Sequence, residues 1–256
     1  MTDTGSKQPP TVRRVNRDLR IATAFLTRLP VHPPEGSLAE ACWAFPLVGL
    51  LVGLVGGAVF GLGQWFGLPA LPAALLALAA TAAFTGALHE DGLADTADGL
   101  GGGNSPERRL EIMRDSRSGA FGVLALVFSV ALRAAALAAV ADTPAVIAAL
   151  MAAASLSRGL LPAMMHILPL ASGSGLAVAA GRPERGAAWT AGVCGAAAAL
   201  ILTGFDAGLG AIVLCAAAVA GLAALARRKI GGYNGDTLGA AQQVGEIAVL
   251  IAVAAG

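Results

Sequence analysis

Three aspartates, Asp91, Asp95 and Asp98, stand at i, i+4 and i+7. On a helix they fall within roughly 60° of arc, so their carboxylates share one face. Like charges at that spacing repel. A divalent cation with oxygen ligands offsets the repulsion. The surrounding stretch, residues 89–118, holds seven carboxylates and four arginines, Arg108, Arg109, Arg114 and Arg117. Guanidinium forks suit phosphate oxygens, and Mg²⁺ prefers one or two carboxylates together with waters and substrate phosphates. The combination points to metal-assisted chemistry on a phosphate. Gly92 and Gly99 weaken a helix here but let a bulky ligand approach the backbone. The plain alternative is a solvated acidic loop. The shared face and the following Gly101-Gly-Gly103 argue against it.

Other polar residues lie where lipid would surround them. Arg133 and Arg158 fall inside long apolar runs, so each needs a phosphate or carboxylate partner in a bundle interior; Arg158 is also near enough to a helix end to snorkel. The loop Gly231-Gly-Tyr-Asn-Gly-Asp-Thr-Leu-Gly-Ala240 leads into the last apolar run. Its glycines suit a tight turn that a ligand can approach, and Asp236 or Thr237 can cap the helix that follows. Gln242, Gln243 and Glu246 lie on or near one face of that helix, and Glu246 must face the bundle interior unless paired.

The elements that position these groups are membrane helices. Hydrophobic residues make up 56% of the 256-residue chain and charged residues 13%, about half the charge a soluble surface needs. The mean hydropathy is +0.73. Seven apolar runs near the length of a bilayer crossing cover about 43–66, 69–88, 119–141, 143–165, 187–205, 207–226 and 239–256. Continuous runs without alternation exclude a membrane barrel. Small-xxx-small pairs such as Gly49/Gly53 and Gly53/Gly57 suit close helix packing. Of 17 Lys and Arg residues, all but Arg133 and Arg158 fall before the first run or in alternate connections. The positive-inside rule makes that side cytoplasmic. Residues 16–29 have helical apolar spacing with arginines interspersed and end at Pro30, which predicts a short helix on the cytoplasmic membrane surface. The expected fold is all-α, a polytopic integral membrane bundle of about seven transmembrane helices plus that N-terminal interfacial helix. Residues 1–11 read as disordered and 12–256 as a single membrane-embedded catalytic domain.

Several function classes drop out. The three cysteines form no metal spacing. There is no Walker A sequence, nucleophile elbow or His-Glu-x-x-His. No basic, aromatic-rich patch suits nucleic acid, and the net charge of +1 carries no message about partners.

The block His89-Glu-Asp-Gly-Leu-Ala-Asp-Thr-Ala-Asp-Gly-Leu-Gly-Gly-Gly103 continues into Glu107-Arg-Arg-Leu-Glu-Ile-Met-Arg-Asp-Ser-Arg117 and Gly119-Ala-Phe-Gly122. It strongly resembles the cobalamin synthase family, membrane-bound adenosylcobinamide-GDP ribazoletransferases. Phe25-Leu-Thr-Arg-Leu-Pro30, Phe45-Pro-Leu-Val-Gly49 and the 231–240 loop extend the resemblance over nearly the whole chain. The resemblance implies a bacterial inner-membrane enzyme that is Mg²⁺-dependent and faces the cytoplasm. Its substrates would be adenosylcobinamide-GDP and α-ribazole or α-ribazole 5′-phosphate, and GMP would leave. Membrane partners would be further copies of the chain or other corrinoid-pathway enzymes. On this reading Glu90, Asp91, Asp95 and Asp98 form the Mg²⁺–pyrophosphate site and Asp115 adds a ligand or orienter. Asp236 holds metal or the ribazole hydroxyl, and His89 is an alternative base. Arg108, Arg109, Arg114, Arg117, Arg133, Arg158, Asn234 and Thr237 contact substrate. A weaker similarity is to CDP-alcohol phosphotransferases, which would make this a lipid enzyme. A small polytopic transporter is the rival of another class; it expects carboxylates deep in the spans, whereas here they mostly gather outside them, with Glu246 the exception.

Overall fold

The computed structural model describes residues 10–115, 117–171 and 176–256. Twelve α-helices are described among them: α1 (Pro10–Leu26), α2 (Leu38–Ala41), α3 (Phe45–Trp65), α4 (Ala70–Thr85), α5 (Leu88–Gly102), α6 (Pro106–Met113), α7 (Ala120–Val140), α8 (Thr143–Ile167), α9 (Leu176–Ala180), α10 (Arg185–Thr203), α11 (Phe205–Ile230) and α12 (Gly235–Ala255). A turn of 3₁₀ helix, Cys42–Ala44, joins α2 to α3. The described residues contain no strand, only an isolated parallel bridge between Leu170 and Tyr233. The protein is a polytopic membrane helix bundle.

Among the described residues, six segments are long and apolar enough to cross a bilayer: Leu38–Trp65, α7, α8, α10, α11 and α12. The run expected at 69–88 behaves differently. At 16 residues, α4 is about 24 Å long, short of the roughly 30 Å hydrocarbon core. It then bends by 93° into α5, and the two together make the seventh candidate crossing. The break has a local cause. Gly86 (φ +68°) and Ala87 (φ +56°) are successive left-handed residues, a conformation that ends a helix. Arg28 N–H donates to Phe84 O at 2.8 Å, and the Arg28 side chain occupies the place a Cβ on Gly86 would need. The end of α1 therefore pins the break.

Most of the core lies around α8, whose Ala149, Ala152, Ala153 and Leu156 are essentially inaccessible. Gly49, Gly53 and Gly57 of α3 lie directly against the α8 backbone at Ala154, Leu150 and Ile147, with no space for a side chain. The small-residue spacing thus marks a real helix contact.

The helix α1 begins at Pro10, so residues 10 and 11, expected to be disordered, form its first turn; residues 1–9 lie outside the described residues. Ile21, Ala22 and Leu26 are buried, and α1 packs on the bundle through them. Its Asp18 is fully buried, accepting from Trp43 Nε1 at 3.0 Å and from Arg17 Nε at 2.9 Å.

The basic connections meet at one end of the bundle. Arg109 Nη1 donates to Lys229 O at 3.1 Å, Arg182 Nε donates to His166 O at 3.0 Å, and the Leu170–Tyr233 bridge joins the exits of α8 and α11.

Candidate active site

Adjacent carboxylates of α5 face different surroundings because α5 packs between α12 and α7. The approach to α12 depends on two glycines. A Cβ on Gly92 would lie 2.8 Å from Asp236 O, and one on Gly239 would lie 3.1 Å from Gly92 Cα. Gly99 likewise admits Met113 and the Arg109 carbonyl of α6. The expectation that these glycines open the backbone to a ligand is corrected: they admit neighbouring helices.

This crossing brings Asp236 to the acid face of α5. The charges of Asp91, Asp236 and Asp98 all act on Asp95, and Asp91 acts on Asp236. Asp91 is exposed, and Asp95 and Asp236 are half-buried. Asp236 is held by its own turn: Asn234 Nδ2 donates to Asp236 Oδ2 at 2.8 Å. Asn234 and Thr237 exchange backbone and side-chain hydrogen bonds as a capping box at the start of α12, so both serve to place Asp236. Of the loop arginines, the charge of Arg114 acts on Asp236.

Glu90 points the other way. Gln243 Nε2 donates to its Oε1 at 3.1 Å, and Arg133 Nη1 lies 3.6 Å from the same oxygen. Arg133 also donates to Glu246 Oε1 at 3.1 Å, and Arg158 Nη1 lies 3.7 Å from Glu246 Oε2. Gln242 donates to Glu246 and Ser157, and Ser129 donates to Gln243 at 2.9 Å. Two guanidiniums and two carboxylates make a charge-balanced quartet, with Arg133, Arg158 and Glu246 buried and Glu90 half-buried. Arg133 and Arg158, each 2% exposed, thus take the carboxylate partner of the two expected alternatives. Arg158 does not snorkel.

Asp98 is consumed elsewhere. It accepts from Gly119 N–H at 2.6 Å and from Gly122 N–H at 2.9 Å. These bonds satisfy otherwise orphaned donors at the start of α7, where the helix dipole favours a carboxylate.

The remaining expected residues lie on α6 and the turn after it. Arg108 pairs with Glu111 at 2.7 Å. Asp115 is clasped by Arg117 through Nε at 3.1 Å and Nη2 at 2.7 Å, which lowers its carboxyl to about 2. It stays ionised and is poorly placed to take a proton. His89 is 3% exposed and lines a cavity together with Asp91 and Asp236.

Among the described residues, no three His, Cys, Asp or Glu side chains form a ready-made ligand set. Mg²⁺ does not require one, since it takes one or two carboxylates, water and substrate phosphate. Asp91, Asp95 and Asp236 provide hard oxygen donors on an accessible acid face. Glu90 and Asp98 already spend oxygens on protein partners.

Residues 18–254 match the family described as cobalamin-5-phosphate synthase. The chain belongs to that family. Curated relatives bear the name adenosylcobinamide-GDP ribazoletransferase. That of Bradyrhizobium diazoefficiens is 49% identical over 249 residues, 96% of each chain. That of Mesorhizobium japonicum is 46% identical over 242 residues, 93% of each chain. That of Azorhizobium caulinodans is 45% identical over 256 residues, covering 94% of this chain and 96% of the relative. No solved structure matches.

Sequence reasoning did not single out Ser129, Ser157 or Asp18 in this cobalamin-5-phosphate synthase family member. A lone hydroxyl or acid in a helix gives no sign of its partner until the partner helix is in place. Nor did it single out the apolar lining beside His89, which is assembled from several helices.

Proposed function

We propose that this chain transfers the cobinamide phosphate of adenosylcobinamide-GDP to the 3′-hydroxyl of α-ribazole or α-ribazole 5′-phosphate, giving adenosylcobalamin or its 5′-phosphate and GMP. The observation that carries this reading is the relationship to ribazoletransferases along almost the whole chain. The accessible acid cluster lies within the matched region and supports it.

In the reaction a bond forms between the acceptor oxygen and the cobinamide-side phosphorus. The bond from that phosphorus to the GMP oxygen breaks, and GMP leaves with the electron pair. Phosphoryl transfer of this kind is served mainly by positioning and charge neutralisation. Asp91 and Asp95 would hold Mg²⁺, which when bound would offset the pyrophosphate charge. Asp236 sits across the α5–α12 crossing, where it can accept a hydrogen bond from the attacking hydroxyl and receive its proton. Arg114 is suited to a phosphate oxygen on the same side. The quartet around Glu246 fixes the first turn of α5, and with it the direction of Asp91.

We place the chain in a bacterial inner membrane with this site facing the cytoplasm, because the basic connections gather at the site's end of the bundle. The deciding experiment supplies purified protein with adenosylcobinamide-GDP and α-ribazole, with and without Mg²⁺, and measures GMP. Mg²⁺-dependent release is expected. Turnover of CDP-diacylglycerol in its place would mark a lipid enzyme, and solute flux in proteoliposomes without turnover would mark a transporter.

A further inference from the structure

Beside Asp91 and Asp236 the helices enclose a cavity of about 130 Å³. Its wall combines Leu26 of α1, Phe45 of α3, and Leu161 and Met165 of α8, each 4% exposed or less. The exposed Asp91 and half-buried Asp236 mark its open side. Phe25 and Phe45 both line it and stack on each other, with centroids 6.1 Å apart and planes at 13°. The space is therefore apolar within, flat on one side and acidic at the mouth, the pattern of a pocket that grips an apolar body and orients a polar end.

Building on the proposed transfer reaction, we infer that this cavity seats the heterocyclic base of the nucleoside acceptor and presents its ribose hydroxyls to Asp236. The choice follows from size and polarity. A corrin macrocycle is far too large for the space. A guanine base would bring several donors and acceptors against a lining that offers few partners, and each unpaired group costs binding. A benzimidazole presents two fused apolar rings and one free ring nitrogen, to which a His89 N–H can donate. Its flat face suits the aromatic wall. The attached sugar then emerges at the mouth, where the assigned carboxylates are.

The test uses the full-length protein with adenosylcobinamide-GDP and two acceptors, the α-ribosides of benzimidazole and of 5,6-dimethylbenzimidazole. The readout is the ratio of their kcat/KM values from GMP release, in which the fraction of folded enzyme cancels. Leu161→Phe narrows the cavity and should move the ratio about 10-fold toward unsubstituted benzimidazole, the usual scale for a methyl group in an apolar pocket. Met165→Ala widens it and should move the ratio the opposite way. If both variants keep the wild-type ratio, as expected were a lipid chain the true occupant, the inference is overturned while the transfer reaction stands. If the wild-type chain releases no GMP with either acceptor, the functional reading fails and takes the inference with it.

Discussion

Glu90 and Asp91 are neighbours on α5 and carry the same charge, yet the fold places them in opposite electrostatic settings. Glu90 joins a quartet in which Arg133 and Arg158 balance Glu90 and Glu246, and glutamines and serines occupy further bonding positions. Asp91 stands with Asp95 and Asp236 on an accessible face where carboxylates crowd one another. A buried charge without a partner is expensive, so the quartet balances its charges internally, although Glu90 Oε2 and Arg158 Nε make no hydrogen bond among the described residues. The outer cluster retains repulsion, which a bound cation would relieve. One helix thus carries a paired charge set on one side and a crowded, accessible acid set on the other.

This contrast can be broken from either side. The largest expected effect is from Arg133→Ala, which leaves Glu90 and Glu246 short of a buried partner. It should cost roughly 3–5 kcal/mol, read as a lower unfolding midpoint in detergent. The double variant Arg133→Met/Glu246→Met keeps the remaining pair neutral and should lose less than the two single changes combined. Full additivity would show that the quartet does not act as a unit.

Asp91→Asn or Asp95→Asn should do the reverse. GMP release should fall by about 10³-fold, the scale of a lost preorganised charge contact, with an unfolding midpoint no lower than that of the wild type, since a like charge is removed. Near-normal turnover in either variant would remove the metal assignment. Gly92→Val tests whether the two regions depend on the α5–α12 approach. The added side chain meets the Asp236 backbone, so the variant should lose about 1–3 kcal/mol and also lose activity as Asp236 moves away. The smallest effect belongs to Asp115→Asn. Asp115 is engaged with Arg117 in an exposed ion pair, a class that contributes little. Turnover should stay within about twofold of wild type, with no change in its dependence on pH near neutrality; a large loss would return Asp115 to the reactive set.

Much of this was legible in the sequence. Long apolar runs establish a helical membrane bundle because each backbone group in lipid must be paired within its own segment. The acid face of 91–98 follows from helical period alone, and the need of Arg133 and Glu246 for partners follows from their place inside apolar runs. The period tells which residues share a face, but not what packs against it. Asp91, Asp95 and Asp98 do share one, yet the first turn of α7 covers its far end and takes Asp98 as a cap. Glu90, one residue from Asp91, is rotated about 100° away around the helix, toward Arg133 and Gln243. The break at Gly86 and Ala87 was equally hidden, since an apolar run reads the same whether it is straight or bent by a contact from Arg28. The sequence by itself determined the bundle, the acid face and the buried charges that must be paired. Only the tertiary structure decided which carboxylates remain available, because that depends on close approaches at Gly92, Gly239 and Gly119 between segments far apart in the chain.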